Sequence, residues 1–280
     1  MADPQPAAPS MRADLKRRVA SAVPLGLLAL SANWYGGFPF LLFWTLAALI
    51  VWYEWATIIS AEPRTPVLAF GALAIVVAAV LLTLKFPILA LLAVLIGAGV
   101  IFVMTRGNSR NWSSSGLVYA AFAAVPIIIL RDDPKFGFFA AIWLYAVVWL
   151  TDIAAYFCGK FIGGKKLAPS ISPSKTWSGA IGGTVFGVLG GAAVATLANA
   201  RFAFMHIVIA LVVSVFSQAG DIYESSVKRK FGTKDSSKLL PGHGGVMDRL
   251  DAFIAACALA LAIGLMRGGF SSPAAGLLAW

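Results

Sequence analysis

Apolar segments close to 20 residues long recur through most of this chain, and they limit what it can fold into more than any other feature. A helix of about 20 apolar residues is long enough to cross a hydrocarbon core of about 30 Å. We therefore predict an all-α integral membrane protein with about nine transmembrane helices. The segments are residues 19–34, 38–59, 66–84, 87–104, 116–130, 136–157, 179–199, 202–219 and 252–266.

Composition agrees with a membrane location. Hydrophobic residues make up 60% of the 280 residues and charged residues 12%, and the mean hydropathy is +0.85. A soluble domain is about half apolar and about a quarter charged. The first apolar segment follows a basic stretch, as a signal peptide would, but no small-residue cleavage site follows it. We expect this segment to be a retained helix, preceded by a disordered basic tail at residues 1–18.

The net charge of +10 indicates how the chain is oriented in the membrane. With the N-terminus in the cytoplasm and nine alternating spans, most lysine and arginine residues fall in cytoplasmic segments, as the positive-inside rule requires. We predict a multi-pass protein of the cell inner (plasma) membrane, with cytoplasmic polar loops, a periplasmic C-terminus and attraction to anionic lipids. No nucleic-acid-binding motif is present, so we expect no nucleic-acid partner.

A first polar stretch begins near the end of the sixth apolar segment and continues into the loop after it. Asp152 lies about two turns inside the predicted helix, with Tyr156 one turn later on the same face. An ionisable residue at that depth is costly and usually functional; a water-exposed carboxylate beside a basic loop is the alternative. A loop rich in glycine and lysine comes next, without the spacing of a Walker A motif. It leads to Ser172 and Lys175 in the segment Ser-Pro-Ser-Lys-Thr-Trp.

A second polar stretch follows the eighth segment and carries the stronger signal. If that helix continues past Gly220, then Asp221, Ser225 and Lys228 lie at i, i+4 and i+7 on one face. Asp248 and Asp251 share a face at the start of the last segment. The Pro-Gly-His-Gly-Gly turn that precedes Asp248 contains His243 and could fold Asp248 back towards Asp221.

Two carboxylates beside lysines suit metal-assisted nucleotidyl transfer. Magnesium takes oxygen ligands and is typically held by one or two carboxylates together with substrate phosphates. Two such ions can stabilise the attacking and leaving oxygens of an in-line displacement, and lysines offset the charge on the transferred group. We expect His243 either to contact the leaving phosphate or to hold the loop. Glu54, near a helix end among aromatic residues, is expected to extend to the membrane interface.

The second stretch resembles the C-terminal signature of the phosphatidate cytidylyltransferase family. The signature reads S-x-apolar-K-R, four residues, K-D, then P-x-H-G-G-apolar-x-D-R-apolar-D. Here it is met by Ser225, Val227, Lys228, Arg229, Lys234, Asp235, Pro241, His243, Gly244, Gly245, Val246, Asp248, Arg249, Leu250 and Asp251. The upstream segments Asp152 to Tyr156 and Ser172 to Trp177 also resemble family elements, although Ser178 stands where the family has an acidic residue.

The resemblance implies an enzyme that makes CDP-diacylglycerol from CTP and phosphatidic acid, with magnesium as cofactor and one or two ions. It implies metal ligation by Asp221 and Asp248, a site shared with Ser225, Lys228 and His243, and a catalytic region at residues 136–280 behind N-terminal helices at 19–135. The residues expected to bind substrate are Ser172, Lys175, Asp152, Tyr156, Arg229, Lys234, Arg249 and Asp251.

Two other functions fit parts of the pattern. A transporter or flippase of anionic lipids would also carry basic loops, but it should place charges or broken helices near the bilayer midplane, whereas this chain concentrates them at one face. A related CTP-dependent enzyme acting on another lipid phosphate, or a polyprenol kinase, is closer. A homodimer is compatible with the sequence and is left open.

Overall fold

The computed structural model describes residues 11–198, 203–240 and 244–280, and in the first helix it describes side chains from residue 23 onward. The chain is almost entirely helical in these ranges. The α-helices are α1 Met11–Tyr35, α2 Gly37–Ile58, α3 Arg64–Thr83, α4 Pro87–Met104, α5 Arg110–Phe122, α6 Val125–Arg131, α7 Gly137–Phe161, α8 Trp177–Leu197, α9 Ala203–Lys230, α10 Met247–Gly268 and α11 Pro273–Leu278. A 3₁₀ turn, Gly107–Ser109, precedes α5.

Eight helical spans in the described ranges are long and apolar enough to cross a membrane, which confirms the all-α membrane architecture. They correspond to eight of the predicted segments, and α5 and α6 together form one of these spans, Arg110–Arg131. The other predicted segment, residues 19–34, lies in α1. That helix already begins at Met11, within the segment that the sequence assigned to a tail.

A small hairpin that the sequence did not predict connects α7 to α8. Its strands, β1 Lys166–Ala168 and β2 Ser172–Thr176, pair antiparallel. Gly163 and Gly164 precede it with φ angles of +66° and +99°, which glycine adopts without the steric cost that other residues meet. The Trp177 amide donates to the Lys165 carbonyl at 3.0 Å, so the hairpin closes directly at the start of α8.

The polar loops of the second half lie on one face of the protein. Because consecutive spans run in opposite directions, α2, α4, α7 and α9 end on the face where α3, α5, α8 and α10 begin. The β1–β2 hairpin lies on this face, which we call the polar face, and so do residues 231–240 and 244–246, the described parts of segment 231–246 that joins α9 to α10.

Glycines let α8 pack closely against α7. A Cβ atom at Gly183 would lie 2.7 Å from the carbonyl oxygen of Thr151, and one at Gly187 would lie 2.9 Å from that of Val147. Small residues commonly allow such backbone approach between membrane helices. The Thr151 hydroxyl also contacts the Ser214 hydroxyl at 2.7 Å, which ties α7 to α9. Asp152, the next residue on α7, is thereby fixed beside α8 and α9.

Aromatic stacking joins the N-terminal helices to the second half. Trp44 of α2 is 2% exposed and stacks on Phe253 of α10 with ring centroids 4.9 Å apart. Its ring also lies 6.3 Å from that of Tyr145 on α7. Helix α2 is therefore packed against the helices that carry the polar residues.

Candidate active site

Asp221 and Lys175 form the first part of the site. Helix α9 continues unbroken through Gly220, as expected, and places Asp221 towards the polar face. The Lys175 ammonium, on β2, lies 2.5 Å from Asp221 Oδ2, and the two side chains are 23% and 30% exposed. One turn later on α9, the Ser225 hydroxyl donates to Asp221 Oδ1 at 3.5 Å. A partly accessible carboxylate is thus held between a lysine and a hydroxyl.

The hairpin sets the position of Lys175. Thr176, the last residue of β2, caps α8: its hydroxyl oxygen accepts from the Gly179 amide at 3.1 Å. Ser178, which stands where the family has an acidic residue, donates to the Gly163 carbonyl and contacts the Thr176 hydroxyl at 3.0 Å. This serine therefore fixes the loop that precedes β1.

Lys228 and Asp248 form the second part of the site. The Lys228 ammonium lies 2.6 Å from Asp248 Oδ1 and 2.8 Å from Glu224 Oε2. All three side chains are shielded, with exposures of 11% for Lys228, 7% for Asp248 and 0% for Glu224. One cation thus balances two buried carboxylates on two helices, α9 and α10. No role was predicted for Glu224 from the sequence, although its i, i+4 spacing to Lys228 on a predicted helix indicates that the two side chains can pair.

The Asp248 carboxylate also closes the segment 231–246. Its Oδ2 atom accepts from the Ser236 amide at 2.9 Å, the Ser236 hydroxyl at 3.0 Å and the Gly245 amide at 2.8 Å. Both carboxylate oxygens are therefore engaged, by Lys228 on one side and by the loop on the other.

Two further carboxylates lie near Asp221. Asp152 on α7, Asp221 on α9 and Asp251 on α10 lie near enough to interact electrostatically. Asp152 is exposed and Asp251 is partly buried. Lys175 and Arg249 act on Asp152 as the compensating cations. The carboxylates that interact with Asp221 are therefore Asp152 and Asp251, whereas Asp248, which was predicted to approach Asp221, is held by Lys228.

The other predicted substrate-binding residues lie around these groups. Ser172 begins β2 and is half-buried, and Arg229 is exposed, with its guanidinium 3.4 Å from the Ile171 carbonyl. Tyr156 is exposed and contacts the Lys160 ammonium, while Lys234 is exposed on segment 231–246. His243, predicted to contact phosphate or hold the loop, lies outside the described residues.

The prediction for Glu54 is wrong. Glu54 does not extend to the membrane interface; its side chain is 0% exposed and accepts hydrogen bonds from segment 231–246 and the start of α10. An acidic residue inside an apolar segment is itself a signal of function, but its partners are more than 180 residues away and no sequence spacing connects them.

The donor chemistry at Asp221 fits a hard cation such as magnesium. Asp221, Asp152 and Asp251 offer carboxylate oxygens, which are the ligands that magnesium prefers. Among the residues that the structure describes, no three such side chains already have a metal-holding geometry. Asp248 is engaged by Lys228 and the loop, so a metal shared with Asp221 requires Asp248 to exchange one of those hydrogen bonds.

Comparison with known proteins assigns the chain to a family. It belongs to the cytidylyltransferase family, whose model matches residues 16–266, and this confirms the resemblance of the C-terminal signature. Fold and family together define a membrane-embedded nucleotidyltransferase. The chain is 44% identical to the phosphatidate cytidylyltransferase of Brucella suis over 261 residues, which cover 93% of this chain and 96% of the relative.

More distant relatives match shorter regions. The chain is 35% identical to the phosphatidate cytidylyltransferase of Haemophilus influenzae over 176 residues, covering 53% of this chain and 58% of the relative. It is 38% identical to that of Bacillus subtilis over 138 residues, covering 49% and 51%.

Proposed function

We propose that this protein transfers the cytidylyl group of CTP to phosphatidic acid, giving CDP-diacylglycerol and pyrophosphate. The observation that carries the proposal is the presence of two lysine–carboxylate pairs, Lys175–Asp221 and Lys228–Asp248, at one face of a membrane protein. Family membership and the names of the relatives support this reaction over transport.

The reaction needs positioning and charge compensation more than proton transfer. A phosphate oxygen of phosphatidic acid attacks the α-phosphorus of CTP, forming the new P–O bond as the bond between the α-phosphorus and the bridging oxygen breaks. Pyrophosphate leaves with the electron pair of that bond. The attacking phosphate is already anionic near neutral pH, so the site needs no strong general base.

The residues of the site have distinct roles in this proposal. Lys228 has three N–H donors, donates one to Asp248 and forms an ion pair with Glu224, which leaves donor capacity for a phosphate oxygen. Lys175 and Ser225, both in contact with Asp221, would orient the triphosphate. His243 would contact the leaving pyrophosphate. Preorganised donors of this kind stabilise charge that develops in the transition state.

Magnesium is the proposed cofactor, held through Asp221 and Asp248. When bound, it would neutralise charge on the triphosphate and on the attacking and leaving oxygens. Asp152 and Asp251, which interact electrostatically with Asp221, would add to the attraction for the cation. The dependence of the reaction rate on Mg²⁺ concentration tests whether one or two ions bind.

The location of the polar face follows from the charge distribution. We propose that this face is cytoplasmic in the inner (plasma) membrane, where CTP is available, and that the C-terminus is periplasmic. Phosphatidic acid would reach the site laterally from the lipid. A homodimer is compatible with this arrangement, and chemical crosslinking in native membranes would detect it.

The direct test is pyrophosphate release by the purified protein in detergent. Release that requires CTP, phosphatidic acid and Mg²⁺ together, with formation of CDP-diacylglycerol, is the expected result. Replacing phosphatidic acid by other lipid phosphates tests the closest alternative substrate class, and varying Mg²⁺ gives the number of ions. Folded protein that is silent with every lipid phosphate would refute the enzymatic proposal.

A pair of matched variants ties the activity to the site. Asp221→Asn removes the charge that Lys175 balances and should abolish release. Asp132→Asn makes the same chemical change at an exposed carboxylate on the opposite face, where it pairs with Lys85. It should leave the rate unchanged; equal rates for both variants would contradict the assignment of Asp221.

A further inference from the structure

Glu54 is a buried acidic side chain that accepts four hydrogen bonds. It lies near the end of α2 at the polar face and has no exposed surface. Its Oε1 atom accepts from the Ser237 hydroxyl at 2.6 Å and the Val246 amide at 3.0 Å. Its Oε2 atom accepts from the Met247 amide at 2.7 Å, and it shares the one proton of the Ser236 hydroxyl, 3.1 Å away, with Asp248 Oδ2.

The compensation of this buried carboxylate differs from that of Asp221 and Asp248. Those two have lysine partners, whereas the ion pairs in the described residues do not include Glu54. Four hydrogen-bond donors take the place of a cation. A buried carboxylate without such partners is strongly unfavourable, so the four donors and the carboxylate depend on each other.

The four donors come from two parts of the segment that joins α9 to α10 and from the start of α10. Ser236 and Ser237 lie in the middle of the segment, whereas Val246 is the N-cap of α10 and Met247 is its first residue. The N-cap residue of α10, Val246, makes no side-chain cap of its own. The first amides of a helix lack intrahelical partners and favour a negative group. Glu54 therefore caps α10 from another helix and, through the serines, fixes the middle of the segment as well.

Ser236 connects Glu54 to the candidate active site. Its hydroxyl lies 3.1 Å from Glu54 Oε2 and 3.0 Å from Asp248 Oδ2, and its amide donates to Asp248. Asp248 in turn binds Lys228. Gly245 makes this arrangement possible, because a Cβ atom there would overlap both the Ser236 hydroxyl and Glu54 Oε1.

We infer that Glu54 is a positioning residue for the reaction, which holds Asp248 and segment 231–246 in place although it belongs to the N-terminal helices. The inference rests on the proposed function, since it assigns Glu54 a part in that same site. Glu54 does not touch the reacting groups. It acts through Ser236 and through the amides that begin α10.

The test is Glu54→Gln, an isosteric change that replaces one hydrogen-bond acceptor by a donor. Each Glu54 oxygen accepts one backbone amide, from Val246 or Met247, so either orientation of the glutamine NH₂ faces an N–H donor. Misplacement of a site by about 1 Å can cost about 10²-fold in rate, and we expect kcat to fall by about that factor. The KM for CTP should change less than kcat, because Lys175 and Ser225, which would orient the triphosphate, contact Asp221 and not Glu54 or its donors.

The control is Glu62→Gln, the same change at an exposed acid that follows α2. It should match the wild type. Trypsin cleavage at Lys234 and Lys238, both exposed in the segment, should be faster in Glu54→Gln than in Glu62→Gln at temperatures where both are folded. A purely structural role would lower the midpoint of thermal unfolding without this selective loss of kcat and of protection.

A second variant keeps the test valid if Glu54→Gln does not fold. Ser237→Ala removes one donor to Glu54 and should lower kcat by a smaller factor with the same rise in cleavage. Wild-type and Glu62→Gln activity establish the reaction itself, so their failure would count against the proposed function. Normal kcat and normal protection in folded Glu54→Gln, or in Ser237→Ala where Glu54→Gln does not fold, would overturn the inference alone.

Discussion

Replacing Lys228 by methionine tests whether the charge balance of the site also holds the protein together. The lysine is 11% exposed and lies 2.8 Å from Glu224 and 2.6 Å from Asp248. Two unit charges about 4 Å apart interact by about 4 kcal/mol at an effective dielectric constant of about 20. Part of this gain offsets the desolvation of the lysine. Removing one partner of a buried pair therefore costs about 3–5 kcal/mol, because the other charge stays buried without compensation.

The structure indicates which carboxylate carries that cost. Asp248 keeps the Ser236 amide, the Ser236 hydroxyl and the Gly245 amide. Glu224 is fully buried, and its oxygens make no other hydrogen bond in the described residues. Adding Glu224→Gln to Lys228→Met removes the uncompensated charge. The double variant should therefore be more stable than Lys228→Met, with a coupling of about 1–3 kcal/mol.

The assay is thermal unfolding in detergent, followed by the fluorescence of the nine tryptophans. A loss of about 3–5 kcal/mol corresponds to a fall of about 6–20 °C in the unfolding midpoint for a chain of this size. Lys234→Met, the same change at an exposed loop lysine, should leave the midpoint nearly unchanged. Equal midpoints for Lys228→Met and Lys234→Met, or additive effects in the double variant, would refute the reasoning.

Three further predictions follow from individual contacts. Gly245→Ala should lower kcat sharply, since its Cβ would overlap Ser236 and Glu54, whereas Gly99→Ala, which meets no atom within 4 Å, should be neutral in the same activity assay. Removing Mg²⁺ with EDTA should stop pyrophosphate release, and added Mg²⁺ should restore it; activity unaffected by EDTA would contradict the proposed cofactor. Thr176→Val should cost about 1 kcal/mol of stability by removing the cap of α8, more than Thr196→Val, as thermal unfolding would measure.

The transmembrane helices and the face of the site could be predicted because they depend on local patterns. Apolar segment length gives the spans, and the i, i+4, i+7 spacing of Asp221, Ser225 and Lys228 correctly anticipates that α9 continues past Gly220. The hairpin was not predicted, because its short strands contain lysine, serine and proline and lack the alternation of a typical strand. It depends on the glycines before it and on the cap of α8.

The pairing within the site could be predicted only in part. The sequence predicted that Asp248 would approach Asp221, but it did not reveal that each carboxylate is held by its own lysine, Lys175 for Asp221 and Lys228 for Asp248. Such pairing depends on how α9, α10 and the hairpin pack. Glu54 is the extreme case, because all four of its donors lie in a region that is distant in sequence and adjacent only in the folded protein.

Three kinds of interaction balance the acidic groups of the polar face, and each supports a different property of the site. Lys175 balances Asp221 where the side chains are partly accessible, so this pair can open for a cation or a phosphate. Lys228 balances Glu224 and Asp248 in a shielded position and joins two helices. Glu54 is balanced by neutral donors and fixes the loop. Substitutions at Asp221 should therefore affect catalysis with little loss of stability, those at Lys228 should affect both, and Glu54→Gln should affect the order of the loop and, through it, kcat. Comparing kcat, unfolding midpoint and loop proteolysis across the three sites separates these roles, because each kind of interaction predicts a different measurement as the one that changes most.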